Sequence, residues 1–235
     1  MALTRVSHLL GRGQNAVMAY TGNVTVGGDA DVHELTHLII SKLAVGEHNN
    51  NVYLLRCRTT GEQILIDAAA EADRVLELIG ADGISALVTT HGHKDHWQAL
   101  ADVAKATGAQ TIAHEADADS IDFPIARRVV DGETISFGEI TLTAIHLVGH
   151  TPGSIALAYD DPDGAPHLFT GDCLFPGGVG NTQQDPERFT SLLNDVSAKL
   201  FDRFPDETWV YAGHGGDASL GSERPHLAEW RERGW

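Results

Sequence analysis

Short apolar runs alternate with longer segments of helical periodicity along most of the chain, and predicted strands outnumber predicted helices. Apolar runs of about four to eight residues bounded by glycine, proline or aspartate are typical of strands, whereas apolar residues spaced three and four apart are typical of helices. The order is mixed rather than a strict β-α-β repeat, which favours α/β or α+β layers. The predicted strands are 36–45, 51–58, 63–67, 85–90, 111–114, 133–137, 139–148, 155–159, 167–170 and 209–212, and the predicted helices are 71–79, 98–107, 186–200 and 226–231.

Glycine positions mark several predicted element ends, but no linker or internal repeat divides the chain. The helix at 98–107 is expected to end at Gly108, and the strands on either side of Gly138 are expected to form a hairpin. Residues 1–34 are polar, rich in glycine and only weakly periodic, so we expect an N-terminal extension that either adds a strand or lies across the surface. A single domain over residues 1–235 is therefore predicted.

Charge and composition restrict the classes of function. The formal net charge of −17 argues against binding to nucleic acid or to an anionic membrane surface, because both need patches of lysine and arginine. No apolar run approaches 18 residues and no early segment resembles a secretory signal, so a cytoplasmic protein without a membrane span is expected. The two cysteines, Cys57 and Cys173, make no Cys-x-x-Cys pair, and Cys173 is expected to be a small buried hydrophobic residue.

The most informative feature is the placement of the 13 histidines. The segment His-Gly-His-Lys-Asp-His at 91–96 follows an apolar strand and precedes a helix. Random placement would produce the pattern His-x-His-x-Asp-His about 0.003 times in a chain of this composition. Residues two apart in an extended segment point the same way, so His91 and His93 can reach one metal ion together. After the turn into the helix, Asp95 and His96 can face a second metal ion.

Three further candidate ligands, His150, Asp172 and His214, each follow a predicted strand and lie beside a glycine. Any one of them alone is more simply explained as a turn residue, but all three in order behind the cluster indicate a metal centre. Five imidazoles and two carboxylates suit two borderline divalent ions such as zinc, with iron or manganese as alternatives. Two metal ions together can activate water and stabilise the charged oxygens of a hydrolytic transition state.

These motifs resemble the metallo-β-lactamase-fold hydrolases, and within them the glyoxalase II (hydroxyacylglutathione hydrolase) branch. The resemblance implies a four-layer αββα sandwich with the metal ions at one edge, between the two sheets. Four blocks carry it: Thr-His-Gly-His-Lys-Asp-His at 90–96, Gly-His-Thr-Pro-Gly-Ser at 149–154, Thr-Gly-Asp-Cys-Leu-Phe at 170–175 and Gly-His-Gly at 213–215.

The resemblance also implies roles for individual residues. Asp172 would bridge the two metal ions, and Asp95 would orient the nucleophile while it holds the second ion. Asp67 matches an acidic position that supports the ligand loop in the family, although a plain strand-end turn explains it equally well. The implied ligands are His91, His93 and His150 for the first metal ion and Asp95, His96 and His214 for the second.

Two departures from the branch concern recognition of the substrate. Glyoxalase II usually carries a C-terminal helical region, whereas only a short tail follows His214. Where the branch has a basic and an aromatic residue that grip glutathione, this chain has Asn181 and Gln183, which become the candidate substrate-binding residues. We therefore expect a thioester of another small thiol, such as a sugar-based thiol with hydroxyls, and poor turnover of S-lactoylglutathione.

Three functions remain as hypotheses. The first is a dinuclear metal-dependent hydrolase of S-acyl thioesters, with a small-molecule substrate and an unknown oligomeric state. The second is a mononuclear iron persulfide dioxygenase, because those enzymes resemble the same branch. The third is a non-catalytic scaffold on the same fold, against which the complete set of ligands argues. Metal analysis separates the first two hypotheses.

Overall fold

The computed structural model describes residues 19–234, and its main feature is two β-sheets packed face to face. The first sheet has seven strands that lie in chain order: β1 (Asp31–Glu34), β2 (Leu38–Val45), β3 (Asn50–Cys57), β4 (Gln63–Ile66), β5 (Ala86–Val88), β6 (Gln110–His114) and β7 (Arg127–Val129). The second sheet has the strands β8 (Thr134–Phe137), β9 (Ile140–His146), β10 (Ile155–Tyr159), β11 (His167–Gly171), β14 (Trp209–Ala212) and β15 (Ala218–Ser219), in the order β15-β14-β11-β10-β9-β8. A separate two-stranded ribbon pairs β12 (Leu174–Phe175) with β13 (Gly178–Val179).

Helices cover the outer face of each sheet. Two of them, α1 (Ala72–Ile79) and α2 (Leu100–Thr107), pack on the first sheet, while α3 (Pro186–Val196) and α5 (Leu227–Arg233) pack on the second. A one-turn helix, α4 (Leu220–Glu223), precedes α5. The four layers confirm the expected αββα sandwich of the α/β class.

Strand β2 shows why the sheets are buried on both faces. Leu38 and Ile40 lie in the core between the two sheets, whereas Leu43 and Val45 pack against the helices on the other side. A strand covered on both faces is largely apolar on both, so it shows no strict alternation in the sequence. In β2, only Ser41 and Lys42 interrupt the apolar run.

The strand directions bring several loops to one edge of the molecule. Strands β4, β5, β6 and β7 run parallel to one another. Strand β10 is antiparallel to both β9 and β11, and β11 is parallel to β14, so β9, β11 and β14 share one direction. The loops that leave the carboxyl ends of these strands carry all the candidate ligands.

Most predicted elements are confirmed, with small differences at their ends. The helix α2 ends at Gly108, which has a φ of 70°, as expected. The hairpin of β8 and β9 turns at Gly138. The predicted helix 186–200 is α-helical only to Val196 and continues as a wider π-helical turn over Ser197–Phe201. The Ser197 hydroxyl donates to the Leu193 carbonyl at 2.6 Å, and such bonds disturb the regular helical pattern.

Sequence analysis missed several short elements, among them β7, β12, β13, β15 and α4. Strand β7 has the sequence Arg-Arg-Val and lies at the edge of its sheet, so it shows no apolar run. Its pairing with β6 is a tertiary contact that local sequence does not report.

The N-terminal extension adds the edge strand β1, which pairs antiparallel with β2, in line with the first of the two expectations for residues 1–34. Residues 1–18 of that extension lie outside the described residues. At the other end, Leu220 and Trp230 pack into the core beneath α3. Between residues 19 and 234, no helix has the length and apolar character needed to cross a membrane.

Candidate metal centre

The first group of candidate ligands lies where the loops after β5 and β9 meet. The Nε2 atoms of His91 and His150 are 3.2 Å apart, and His93 Nδ1 lies 2.9 Å from His150 Nε2. The ligand atoms of these three residues all lie within 4.8 Å of one another. The spacing places one nitrogen from each ring around a common point, which is the arrangement expected for the first metal ion.

The second group joins the same loop after β5 to the loop after β14. The Nε2 atoms of His96 and His214 are 3.1 Å apart. Asp95 Oδ2 lies 3.5 Å from His214 Nε2 and 3.7 Å from His96 Nε2. The structure therefore also brings together the three residues expected at the second metal ion.

The Asp172 carboxylate lies between the two groups. Its Oδ1 is 3.3 Å from His96 Nε2, and its Oδ2 is 3.6 Å from His150 Nε2 and 3.4 Å from His214 Nε2. Oδ1 is buried and has no hydrogen-bond partner among the described residues. A β-carbon at Gly213 would lie 2.2 Å from this oxygen, so only glycine allows the loop after β14 to approach so closely.

Hydrogen bonds behind the rings orient three of the histidines. The pairs are His96 Nδ1 with Asp67 Oδ2 at 2.8 Å, His150 Nδ1 with the Asn181 carbonyl at 2.8 Å, and His214 Nδ1 with the His48 carbonyl at 2.9 Å. A neutral imidazole carries one N–H, and because these acceptors take it at Nδ1, the lone pair of Nε2 points into the site. Two ring nitrogens at 3.1 Å need a cation between them, either a proton in the metal-free protein or a metal ion, so these donors fit a divalent metal ion.

The electrostatics of the site agree with this reading. Burial holds the pKa of His91 well below its usual range and lowers that of His150 to about 4, so both rings are neutral at physiological pH. Burial acts against the charge of His96 too, but the Asp67 and Asp172 carboxylates raise its pKa to about 10. Burial works to raise the pKa of Asp172, yet the adjacent imidazoles of His214 and His96 hold it well below its usual range. The carboxylates thus favour positive charge where a metal ion would supply it.

Asp67, at the end of β4, supports the loop that carries the first ligands. Its Oδ1 accepts from the Thr90 amide and its Oδ2 from the Thr90 hydroxyl, each at 2.8 Å, in addition to His96. The residue adopts a φ of 57°, a conformation that is uncommon outside glycine. Its contacts are those of the supporting position that the family resemblance implied.

Asp117 is a second supporting carboxylate, which sequence analysis missed. Its Oδ2 accepts from the Gly92 amide at 2.7 Å and from the Thr151 hydroxyl at 2.5 Å, and its Oδ1 accepts from the Gly153 amide at 2.7 Å. The residue is only 2% exposed. It therefore joins the loop of His93 to the loop of His150. In the sequence, the signal for Asp117 was no more than its position shortly after β6. Its proximity to the histidine cluster arises because β6 pairs with β5, the strand that precedes the cluster.

Asn50 belongs to the Asn-Asn-Asn-Val-Tyr run at 49–53, which resembles the start of a strand near the metal edge in the family, although a turn explains the run equally well. The Asn50 side-chain amide donates to Asp95 Oδ2 at 2.9 Å and lies 3.5 Å from His214 Nε2. The neighbouring Asn51 donates to the carbonyls of Ala212 and Gly215, each at 2.9 Å. The start of β3 therefore orients Asp95 and anchors the loop of His214.

A cavity of about 690 Å³ opens beside the first group of ligands, with His93 and His150 in its wall. Of the two predicted substrate-binding residues, Gln183 lines this cavity, whereas Asn181 does not. The Asn181 side-chain oxygen instead accepts a hydrogen bond from the backbone N–H of Gln183 at 2.7 Å, and this bond shapes the loop. Arg188, which sequence analysis did not single out, also lines the cavity and donates to the carbonyls of Gly149 and His150.

The chain resembles known proteins over most of its length. The sequence model of the metallo-beta-lactamase superfamily matches residues 45–214, and the chain belongs to this superfamily. Among curated proteins it is 33% identical over 181 residues to a hydroxyacylglutathione hydrolase from Polaromonas sp. (strain JS666), an alignment that covers 75% of this chain. The chain spans about two thirds (66%) of the length of that relative.

Solved structures show the same fold. ETHE1 from Myxococcus xanthus aligns with a TM-score of 0.72 and 26% identity, covering 82% of this chain and 84% of ETHE1. TTHA1623, crystallised in a di-iron-bound form, aligns with a TM-score of 0.64 and 30% identity, covering 78% of this chain and 96% of its own. The second match is a protein of this fold that holds two metal ions.

Proposed function

We propose that the protein is a dinuclear metal-dependent hydrolase of S-acyl thioesters of a low-molecular-weight thiol. The observation that carries this proposal is the position of Asp172, whose carboxylate lies within 3.6 Å of ligand nitrogens in both groups. A carboxylate in this place suits a bridge between two metal ions. The hydroxyacylglutathione hydrolase among the relatives supports a thioester substrate.

Two metal ions in these groups would supply Lewis acidity towards the acyl carbonyl and a nucleophile from water at neutral pH. The chain's own residues orient the reactants. Burial acts to raise the pKa of Asp95, but the hydrogen bond from Asn50, the charge of His96 and a backbone hydrogen bond together lower the pKa, so the carboxylate is ionised. Asp95 can therefore orient a water molecule and accept its proton. A thiolate is a good leaving group, so the reaction needs no strong general acid.

The cavity beside His93 and His150 is the proposed site for the thiol carrier. Its polar lining includes the Gln183 side-chain amide, the Ser120 and Ser191 hydroxyls, the Arg188 guanidinium and two carboxylates, those of Asp117 and Glu187. Two nitrogens of Arg188 are already bonded to backbone carbonyls. Hydroxyls, an amide and more carboxylates than cations suit a hydroxyl-rich carrier better than one with several carboxylates.

Metal analysis together with a thioester assay tests the proposal. Protein purified without chelator should contain about two metal ions per chain, and its hydrolysis of acyl thioesters should vanish on chelation and return when metal is restored. His214→Ala should bind about one ion fewer. Iron belongs among the metals tested, because a relative of this fold was crystallised with two irons. A reproducible single iron per chain, without thioester hydrolysis, would contradict the proposal and favour the dioxygenase.

A further inference from the structure

A fully buried lysine lies close to the metal centre and is not explained by the proposed reaction. Lys42 continues the inner row of β2 after Leu38 and Ile40, at the end of the core between the sheets. Its side chain is 0% exposed. Lysine is among the residues least often buried, because removing an ammonium group from water is costly unless it is paired and hydrogen-bonded.

All three hydrogens of the Lys42 ammonium have acceptors. Nζ lies 2.6 Å from the Gly22 carbonyl, 2.8 Å from the Gly215 carbonyl and 2.6 Å from Asp217 Oδ1. The Asp217 side chain is itself only 4% exposed, and its other oxygen accepts from the Tyr20 hydroxyl. We call this cluster the lysine clasp, which consists of Lys42, Asp217 and Tyr20.

The lysine clasp joins three segments that are distant in the sequence. Tyr20 and Gly22 belong to the N-terminal segment before β1, Lys42 belongs to β2, and Gly215 and Asp217 belong to the loop after β14. The close contact leaves no room for a larger residue, since a β-carbon at Gly22 would lie 2.7 Å from Asp217 Oδ2. The N-terminal segment is therefore tied to the loop that carries His214.

Filling the core does not require these polar groups. A buried ion pair can often be replaced by apolar residues of similar volume without loss of stability, whereas removing only one partner is strongly destabilising. What apolar residues would not reproduce is the set of directed bonds to Gly22 and Gly215. Gly215 directly follows His214, whose ring faces Asp95 and Asp172.

We infer that the lysine clasp is a positioning device through which the N-terminal segment holds the His214 loop and sets the affinity of the second metal position. The inference rests on the proposed assignment of His214 as a ligand. The clasp acts on one side of the centre only, because the loops of His93 and His150 are held by Asp117. Loss of the lysine clasp should therefore lower the affinity for the second metal ion and leave the affinity for the first unchanged.

The main test uses the double variant Lys42→Met/Asp217→Leu, which removes both charges together. Lys42→Met alone would leave a buried carboxylate unpaired and could simply unfold the protein. Metal affinities are measured by competition with a chelator, and His93→Ala and His214→Ala identify the two binding steps. The double variant should bind the first ion like the wild type and the second about 10–100-fold more weakly. Tyr20→Phe, which removes one bond, should shift the second step in the same direction by a smaller factor.

Lys199→Met is the matched control. Lys199 also pairs with an aspartate, Asp195, and also donates to a backbone carbonyl, that of His146, but it does not contact the loop of His214. It should leave the second binding step unchanged. If the double variant bound both ions like the wild type, or lost both equally, the inference would be wrong.

A second measurement does not depend on metal. Amide hydrogen exchange of the metal-free protein reports how firmly the peptide Gly213–Ser219 is held. The double variant should exchange at least about 10-fold faster there than the wild type, the factor expected for the loss of a charged hydrogen bond. Unchanged exchange in this peptide would overturn the clasp. A wild type that binds fewer than two ions but shows the exchange effect would instead contradict the dinuclear function and leave the clasp standing.

Discussion

At the scale of single residues, the candidate centre depends as much on what lies behind the ligands as on the ligands themselves. His96 is oriented by Asp67, while His150 and His214 are oriented by backbone carbonyls. These partners fix which ring nitrogen carries the proton, and removing such a partner commonly lowers metal affinity about 10–100-fold. Two neighbouring residues, Asp172 and Cys173, show how different the roles of adjacent side chains are.

Asp172→Ala is expected to lower kcat/KM for a thioester by more than about 100-fold, because the carboxylate contacts both ligand groups. Cys173→Ala is the matched control. Cys173 is fully buried in the apolar core beneath α3, and burial raises the pKa of its thiol. Its replacement should leave kcat/KM within about twofold and lower the free energy of unfolding by about 1 kcal/mol. Loss of turnover by Cys173→Ala, in protein that is folded and metal-loaded, would contradict these assignments.

Asp117→Asn is expected to lower the affinity for the first metal ion about 10–100-fold. Three donors bond to the two oxygens of the carboxylate, whereas an amide offers one acceptor oxygen. Asp119→Asn is the control, because Asp119 lies in the same short turn but is exposed and pairs with Arg128, away from the ligand loops. Chelator competition on both variants measures the effect. Equal affinities of the two variants for the first ion would show that Asp117 does not support this position.

At the scale of elements, strand ends decide what the molecule brings together. The loops after β5, β9, β11 and β14 supply the seven candidate ligands, and the loops after β4 and β6 supply Asp67 and Asp117.

Away from the metal centre, a contact between one tyrosine and two histidines joins β1, β11 and β14. The Tyr211 hydroxyl lies 2.8 Å from His33 Nδ1 and 2.9 Å from His167 Nδ1. One hydroxyl can donate to one ring and accept from the other, so both rings are held neutral.

This contact predicts a dependence of stability on pH. Burial lowers the pKa of His167 to about 4 and also lowers that of His33, whereas an unfolded histidine titrates near about 6.5. Between these values the unfolded chain binds more protons than the folded one. The stabilising contribution is therefore complete above about pH 6.5 and is lost as the pH falls towards 4, by about 1.4 kcal/mol per pH unit for one such group.

The measurement is urea unfolding of the metal-free wild type and of His167→Asn between about pH 4.5 and 7.5. This pH range is set by the folded and unfolded pKa values of His167 given above. The variant cannot titrate at this position, although its amide can still accept from Tyr211. Its free energy of unfolding should fall less steeply with decreasing pH than that of the wild type. Identical slopes would mean that His167 is not held neutral by the fold.

At the scale of the whole molecule, the two sheets and their helices form the scaffold, while loops and the first two turns of α3 line the cavity beside the candidate metal ligands. Asn181 and Gln183 stand where the resembling branch has residues that grip glutathione, and only Gln183 lines the cavity. Arg188 and Glu187 enter it from α3. Under the proposed function, recognition of the thiol carrier would therefore depend on side chains outside the metal motifs.

We expect the lactoyl thioester of a hydroxyl-rich small thiol to be hydrolysed at least about 100-fold more efficiently than S-lactoylglutathione, corresponding to about 3 kcal/mol of transition-state binding. The comparison uses kcat/KM for lactoyl thioesters of several thiols under one set of conditions. Gln183→Arg should raise the value for S-lactoylglutathione about 10-fold, because Gln183 lines the cavity and a charged hydrogen bond exceeds a neutral one by more than about 1 kcal/mol. Near diffusion-limited turnover of S-lactoylglutathione by the wild type, with no preference for another carrier, would sink this prediction.

The sequence by itself determined the longer strands and helices and the candidate ligands. Apolar runs and periodicity are local consequences of burial, and the segment at 91–96 has too low a chance frequency to be accidental. The four-layer order and the division of ligands into two groups were implied by a family resemblance. Periodicity cannot supply them, because it does not state which strands pair.

Only the tertiary structure decided the parts that depend on long-range contacts. Asp117 lies 25 positions from Gly92 and bonds to its amide, while Lys42 meets Gly215 across 173 positions. An aspartate after a strand and a lysine within one carry no local pattern that distinguishes them from ordinary turn and surface residues. Their roles arise because parallel strand ends converge at one edge and because a buried charge must find acceptors wherever the fold places them.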